Sequence, residues 1–140
     1  MTHDPPFVEL EHTADLALRV RGGDQRALLQ NAAHGLFSLL RCRPVPGAMP
    51  RSITHRVQVE AADFDSLLVE WLNELLYESA RHQALFCHFD IVQLHPDRLE
   101  AVIGGLSHHA VQRDIKAATY HDLAVRADAG GYSATITFDV

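Results

Sequence analysis

The chain has 140 residues, of which 47% are hydrophobic and 21% are charged, and its formal net charge is -6 at pH 7. This length and composition predict a single globular domain over residues 1–140, large enough to bury its own core. The negative charge argues against a nucleic-acid-binding surface spread over the whole molecule, although it is compatible with a local basic patch.

The cysteines and the first residues of the chain indicate in which cellular compartment the protein is expected. Cys42 and Cys87 form neither a CxxC pair nor a disulfide framework, as is typical of proteins in a reducing compartment. The first residues lack the basic and apolar regions of a signal peptide. No apolar run approaches the roughly 20 residues that a membrane-spanning helix needs. We therefore expect a cytoplasmic protein with no membrane segment.

The first half of the chain predicts alternating strands and helices. Leu16, Leu18 and Val20 alternate with other residues, as in a half-buried strand. Apolar residues then recur at helical spacing up to Leu40, and Asp24 is a suitable N-cap. Residues 42–50 are predicted to form a loop, and residues 53–60 are predicted to form a second strand. Asp63 is the predicted N-cap of a second helix. The apolar stripe of that second helix comprises Leu67, Leu68, Trp71, Leu72, Leu75 and Leu76.

The second half of the chain predicts strands. Residues 86–94 and 98–103 flank a short turn, which indicates a hairpin, and residues 104–114 read as a loop. An extended run over 116–126 and a last strand over 132–140 follow. In the last strand, even-numbered residues through Val140 form an apolar face. Together these elements predict an α+β two-layer sandwich, with two helices on one face of a mostly antiparallel or mixed sheet of about six strands.

Two acidic residues near the chain ends could form a metal site. Asp15 and Asp139 both have the phase that points away from the core in their strands. If those strands are neighbours, the carboxylates could share a cation, and oxygen-only ligands favour Ca²⁺ or Mg²⁺ over zinc. Phase alone does not show that the strands are adjacent, so both acids could equally be solvated surface residues.

The segment around Lys116 could belong to the same site. If Leu123 and Val125 face the core, unbroken alternation places His121 and Thr119 with them, and Lys116 on the polar face with the two acids. Lys116 could then balance their charge or meet an anion. It could also be an ordinary exposed lysine, and a bulge would reverse these faces.

Four segments together resemble the archease family. They are His12-Thr13-Ala14-Asp15, the helical segment from Leu67 to Leu76, the Lys116–His121 motif KAATYH, and the final Asp139-Val140. Their order and spacing match across nearly the whole chain. One departure is Gly104-Gly105, where the family usually has Gly-Glu.

The resemblance implies a non-enzymatic accessory protein of the RtcB-type RNA-splicing ligase, which promotes guanylylation of the ligase and its repeated turnover. It further implies a divalent metal held by Asp15, Asp139 and the main-chain carboxylate of Val140, with calcium expected and magnesium or manganese as alternatives. Lys116 and His12 are further functional candidates. The expected partners are the ligase and, through it, a guanosine nucleotide, without direct RNA binding.

A different class of function uses the same acids. A metal-dependent phosphohydrolase or nucleotidase would need a general base and an anion clamp, for which His12 and Lys116 are the candidates by phase. The sequence contains no GxSxG, P-loop or GxGxxG motif, which argues against a serine hydrolase and against the common nucleotide-binding loops. A plain chaperone or interaction module is the third alternative.

Overall fold

The computed structural model describes residues 5–11 and 16–140, without the side chain of Glu11. It contains the helices α1 (Gln25–Leu40) and α2 (Phe64–His82). Within the described residues, six strands have five residues or more: β1 (Phe7–Glu11), β2 (Leu16–Gly22), β4 (Ser52–Glu60), β5 (Leu85–His95), β6 (Arg98–Leu106) and β10 (Gly131–Asp139). The shorter strands are β3 (Arg43–Pro44), β7 (His109–Ala110), β8 (Ala117–Ala118) and β9 (Val125–Asp128).

The strands of the described residues divide into three antiparallel sheets. One sheet has the order β1-β2-β10-β8, with β9 also paired to β10. A second sheet has the order β4-β6-β5, and β3 pairs with β7 in a small third one. The predicted α+β class is confirmed, and the strands are distributed over more than one sheet.

Both helices begin where the sequence predicted. The side chain of Asp24 accepts a hydrogen bond from the N–H of Ala27, and that of Asp63 accepts one from the N–H of Ser66. Each helix ends at a residue in the left-handed conformation, Arg41 after α1 and Gln83 after α2. These caps provide partners for backbone groups that the helix itself leaves unpaired.

The apolar faces of the helices form one core with the sheets. The fully buried residues include Trp71 of α2, Leu18 of β2 and Phe86 of β5. The indole N–H of Trp71 donates to the carbonyl of Leu29 at 3.0 Å and so joins α2 to α1. The predicted leucine stripe of α2 is therefore core, as its period indicated.

Several predicted boundaries were wrong. β1 was not predicted, and Gly104 and Gly105 lie inside β6 rather than in a loop. A Cβ on Gly105 would lie 1.9 Å from the carbonyl oxygen of Leu85, so glycine here permits the close approach of β5. Sequence patterns associate paired glycines with turns, which explains the error.

The run over 116–126 is not one strand. It contains β8, a turn and the start of β9, since the N–H of Leu123 bonds to the carbonyl of Tyr120 at 3.2 Å and Asp122 has φ 52°. The turn breaks the assumed alternation. Ala118 is buried and His121 is exposed, so the predicted core position of His121 was wrong.

Candidate functional site

Asp139 ends the central strand of the largest sheet. Its neighbour Phe138 pairs with Leu16 of β2 on one side and with Ala118 of β8 on the other. The carbonyl of Asp139 accepts a hydrogen bond of 2.8 Å from the N–H of Lys116. The strand that starts at Leu16 and the last strand are therefore direct neighbours, and the Lys116 backbone lies beside Asp139.

Two of the predicted site residues, His12 and Asp15, lie outside the described residues. Asp139, Lys116 and Val140 are exposed, and Val140 retains 54% of its accessible surface. Val140 lies beyond the end of β10, so its predicted place on the apolar face of the strand was wrong. Because Val140 lies outside β10, the alternation of side chains between the two faces of that strand does not extend to it.

The Asp139 carboxylate is open to a ligand. Across residues 5–11 and 16–140, no hydrogen bond or ion pair engages this side chain. An exposed carboxylate with free lone pairs suits a hard cation such as Ca²⁺ or Mg²⁺, and the oxygen donor of Asp139 therefore fits the implied metal.

Helix α2 holds the Lys116 motif in place. The Asn73 amide donates to the carbonyl of Ala118 at 3.1 Å and accepts from the N–H of the same residue at 2.7 Å. The hydroxyl of Tyr120 donates a hydrogen bond to Glu70. Two polar residues of the α2 motif thus fix the segment that borders Asp139. In the sequence both residues lie within the Leu67–Leu76 segment that resembles the family, and that position was a usable signal for them.

The other side of the same segment is attached to β10. Both the backbone N–H and the hydroxyl of Thr119 donate to the carbonyl of Thr137, each at 2.9 Å. The hydrogen bond to Glu70, followed by burial and by the Glu70 charge, raises the pKa of Tyr120 to about 12. The Nε2 atom of His121 lies 3.2 Å from a carboxylate oxygen of its exposed neighbour Asp122, and the His121 side chain is itself exposed.

An arginine-lined cleft of 430 Å³ opens on the same sheet. Its lining includes Arg19, Arg21, Arg126, Ser133 and Thr135. Because side chains alternate along a strand, Ser133 and Thr135 have the phase of Asp139, so the basic cleft and the acidic end share a face of β10. This is the kind of local basic patch with which the overall negative charge is compatible.

The fold and these residues define a small α+β protein whose central strand ends in an exposed acid beside a helix-anchored lysine motif. A sequence model of the Archease protein family (MTH1598/TM1083) matches residues 7–140. The chain belongs to the archease family, and the resemblance noted in the sequence is confirmed.

Individual relatives agree with the family match. The chain is 30% identical to protein archease of Methanosarcina mazei, with 94% of this chain and 93% of the relative covered. It is 29% identical to protein archease of Methanopyrus kandleri, with 96% and 99% covered.

Solved structures share the fold. The solution structure of protein 1598 of Methanobacterium thermoautotrophicum matches with a TM-score of 0.72 at 24% identity, covering 96% of this chain and 99% of that one. The crystal structure of an archease from Thermotoga maritima, described as a possible chaperone, matches with a TM-score of 0.68 at 18% identity, covering 100% and 98%. In the described part of the present chain, no helix is long and apolar enough to cross a membrane.

Proposed function

We propose that this protein is an accessory protein of an RtcB-type RNA ligase and promotes guanylylation of the ligase without itself turning over a substrate. Membership of the archease family supports the proposal, and the description of the Thermotoga maritima relative as a possible chaperone agrees with an assisting role. The structural observation that carries it is the exposed carboxylate of Asp139, which has no partner among residues 5–11 and 16–140, at the junction of β2, β10 and β8.

In this proposal the acidic end of β10 holds a divalent cation. The ligands are Asp15, Asp139 and the main-chain carboxylate of Val140, with calcium, magnesium or manganese as the ion. The cation would supply a positive centre for phosphate oxygens of the guanosine nucleotide that the ligase binds. Lys116 and His12 would stand beside the ion and contribute further contacts to an anionic group.

The chain's own residues position this end for contact with a partner. Asn73 and Glu70 fix the segment that follows Lys116, so a docking protein meets an ordered surface and loses less entropy on binding. The negative net charge complements the basic surface expected of an RNA-binding ligase and would raise the association rate.

A guanylylation assay with the ligase from the same organism tests the proposal. Asp139→Asn should lower both calcium affinity, measured by calorimetry, and ligase guanylylation, because an amide is a weaker ligand for hard cations. A loss of at least about tenfold in metal affinity is expected. Asp97→Asn, in the exposed turn between β5 and β6, is the matched control and should behave as wild type.

Extension of the chain beyond Val140 provides a second test. A peptide tag would convert the proposed carboxylate ligand into an amide, so stimulation of the ligase should be lost while the circular dichroism spectrum is kept. Full stimulation by the tagged protein would contradict the proposed ligand set. Sustained phosphate release from GTP that Asp139→Asn abolishes would favour the hydrolase alternative instead.

The arginine-lined cleft supplies a further contact in this proposal. Arg19 and Arg126 are exposed on the face that Asp139 shares, where they could meet phosphate groups of the nucleotide bound to the ligase. Replacing both with alanine should slow association with the guanylylated ligase by up to about tenfold at low salt. Arg98→Ala, at the start of β6, is the control, and equal association rates for all three proteins would remove the cleft from the interface.

A further inference from the structure

We infer that His55, Glu78 and His82 form a second metal site, selective for zinc or a similar transition-metal ion and separate from the acidic end of β10. One ligand atom from each residue can be chosen such that all three atoms lie within 4.8 Å of one another. The site lies at the C-terminal end of α2, where that helix packs against β4.

Helical periodicity and the strand pleat bring these side chains together. Glu78 and His82 are four residues apart on α2, so they occupy the same face, and the His82 Nε2 atom lies 3.1 Å from Glu78 Oε2. His55 shares the core-facing side of β4 with Val57 and Val59. Its ring stacks on that of His82 with centroids 3.9 Å apart and planes at 22°.

The backbone around the site is well fixed. Gln83 ends α2 in the left-handed conformation and donates its N–H to the carbonyl of Ser79. The hydroxyl of Ser79 donates to the carbonyl of Ala84 at 2.9 Å, and the N–H of His109 donates to the carbonyl of Gln83 at 2.9 Å. A ligand set on such anchored elements needs little reorganisation to bind an ion.

The local charge favours a cation. Glu78 is only 6% exposed, and Glu74 lies one turn before it on the same helix. The two carboxylates repel each other, and Arg81 is the opposite charge that acts on Glu74. The carbonyl end of the helix dipole adds further negative potential at this terminus. A divalent ion would offset this crowding of negative groups.

The donor set determines the class of metal. Two imidazoles and one carboxylate are typical ligands of zinc, whereas calcium and magnesium prefer oxygen donors only. Three protein ligands leave a fourth tetrahedral position for water. The inferred site therefore differs in chemistry from Asp139 and does not rest on the proposed ligase function.

Zinc titration of the untagged full-length protein tests the inference. Calorimetry with ZnCl₂, and the visible absorption of CoCl₂ as a zinc substitute, should show one ion bound with nitrogen ligation. His55→Gln and His82→Gln should each weaken zinc binding by at least about tenfold, because each removes a direct ligand. His95→Gln, which changes a histidine at the exposed end of β5, is the matched control and should leave zinc affinity unchanged.

Two further comparisons make the result decisive. Zinc should raise the melting temperature of the wild type and not that of His55→Gln, a variant whose partly exposed strand position tolerates substitution. Asp139→Asn should keep zinc affinity, so failure of the acidic site and failure of this one are distinguishable. The inference is overturned if the wild type binds no zinc, if either histidine variant binds as tightly as the wild type, or if zinc binding requires Asp139.

Discussion

At the scale of single residues, the contact between Tyr120 and Glu70 links helix α2 to the segment beside the candidate site. Tyr120 is 52% exposed, yet its hydroxyl donates to the carboxylate of Glu70. The hydrogen bond requires the protonated phenol, so it raises the pKa of Tyr120 above its ordinary value of 10.0 to about 12. The link therefore holds throughout the neutral pH range.

The pH dependence of this contact is testable. Because the folded-state pKa is raised, the stabilisation is fully present below about pH 10 and is lost as the pH rises through about 12. Phenolate absorbance of the wild type minus that of Tyr120→Phe should give a titration midpoint near 12. In Glu70→Gln the midpoint should move towards 10.0. An unchanged midpoint in that variant would show that Glu70 does not bond to the phenol.

Asn73 has a comparable role on the same helix. Its side chain acts as donor and acceptor towards Ala118, as a backbone strand would. One amide side chain thus completes the pairing of the two-residue strand β8 on the side away from β10. The order of the Lys116 motif depends on this helix as much as on the sheet.

At the scale of elements, the pairing of β5 with β6 depends on glycine at one position. The register between these strands shifts between Phe86 and His88, and Gly105 lies opposite Phe86. The irregularity brings the carbonyl of Leu85 to within 1.9 Å of the place where a Cβ of residue 105 would stand. A side chain there would force the strands apart.

Adjacent glycines provide a matched pair of substitutions. Gly105→Ala should destabilise the protein by about 1–3 kcal/mol or more, because its Cβ meets backbone atoms that cannot move away cheaply. In Gly104→Ala the nearest atom, the Cβ of His88, is 3.7 Å away, an ordinary contact. Urea unfolding followed by circular dichroism should separate the two variants, and equal midpoints would contradict the close approach of β5 and β6.

At the scale of the whole molecule, Trp71 joins the two helices and the core. It is fully buried, its ring lies edge-on to Phe89 of β5, and its N–H reaches the carbonyl of Leu29 in α1. One side chain therefore connects both helices with the three-stranded sheet. Its loss should weaken global stability rather than one local segment.

The corresponding variant is Trp71→Phe. It should lower the free energy of unfolding by about 1–3 kcal/mol, since it removes a buried hydrogen bond and leaves a small void. Unfolding should be followed by circular dichroism rather than by tryptophan fluorescence, because Trp71 is the only tryptophan of the sequence and the variant lacks it. Tyr77→Phe, at a position that is 56% exposed, is the control with little expected effect. If the free energy of unfolding falls equally in the two variants, the Trp71 contact contributes nothing of its own to stability.

The helices were predictable because their signals are local. Asp24 and Asp63 cap the segments they precede in the sequence, and the period of the α2 stripe selects its buried face. The alternation over residues 53–60 likewise predicted the strand that the structure has as β4. Such features depend on neighbours within a few residues, which a single sequence displays directly.

Other features depend on contacts between distant residues. Glu78 belongs to the polar side of α2 by sequence, yet it is buried where the helix end meets β4. The turn at residues 120–123 interrupted the alternation that had assigned His121 to the core. Neither the packing of a helix end nor the interruption of a short strand leaves a periodic signal.

By itself, the sequence determined the α+β class, the helix starts, the buried helix faces and the family, because these follow from local periodicity, capping and shared motifs. Only the tertiary structure placed β2 beside β10, anchored the Lys116 motif through Asn73 and Glu70, and brought His55 to Glu78 and His82. Those contacts join residues far apart along the chain, and their geometry is fixed only when the helices and sheets pack into a common core.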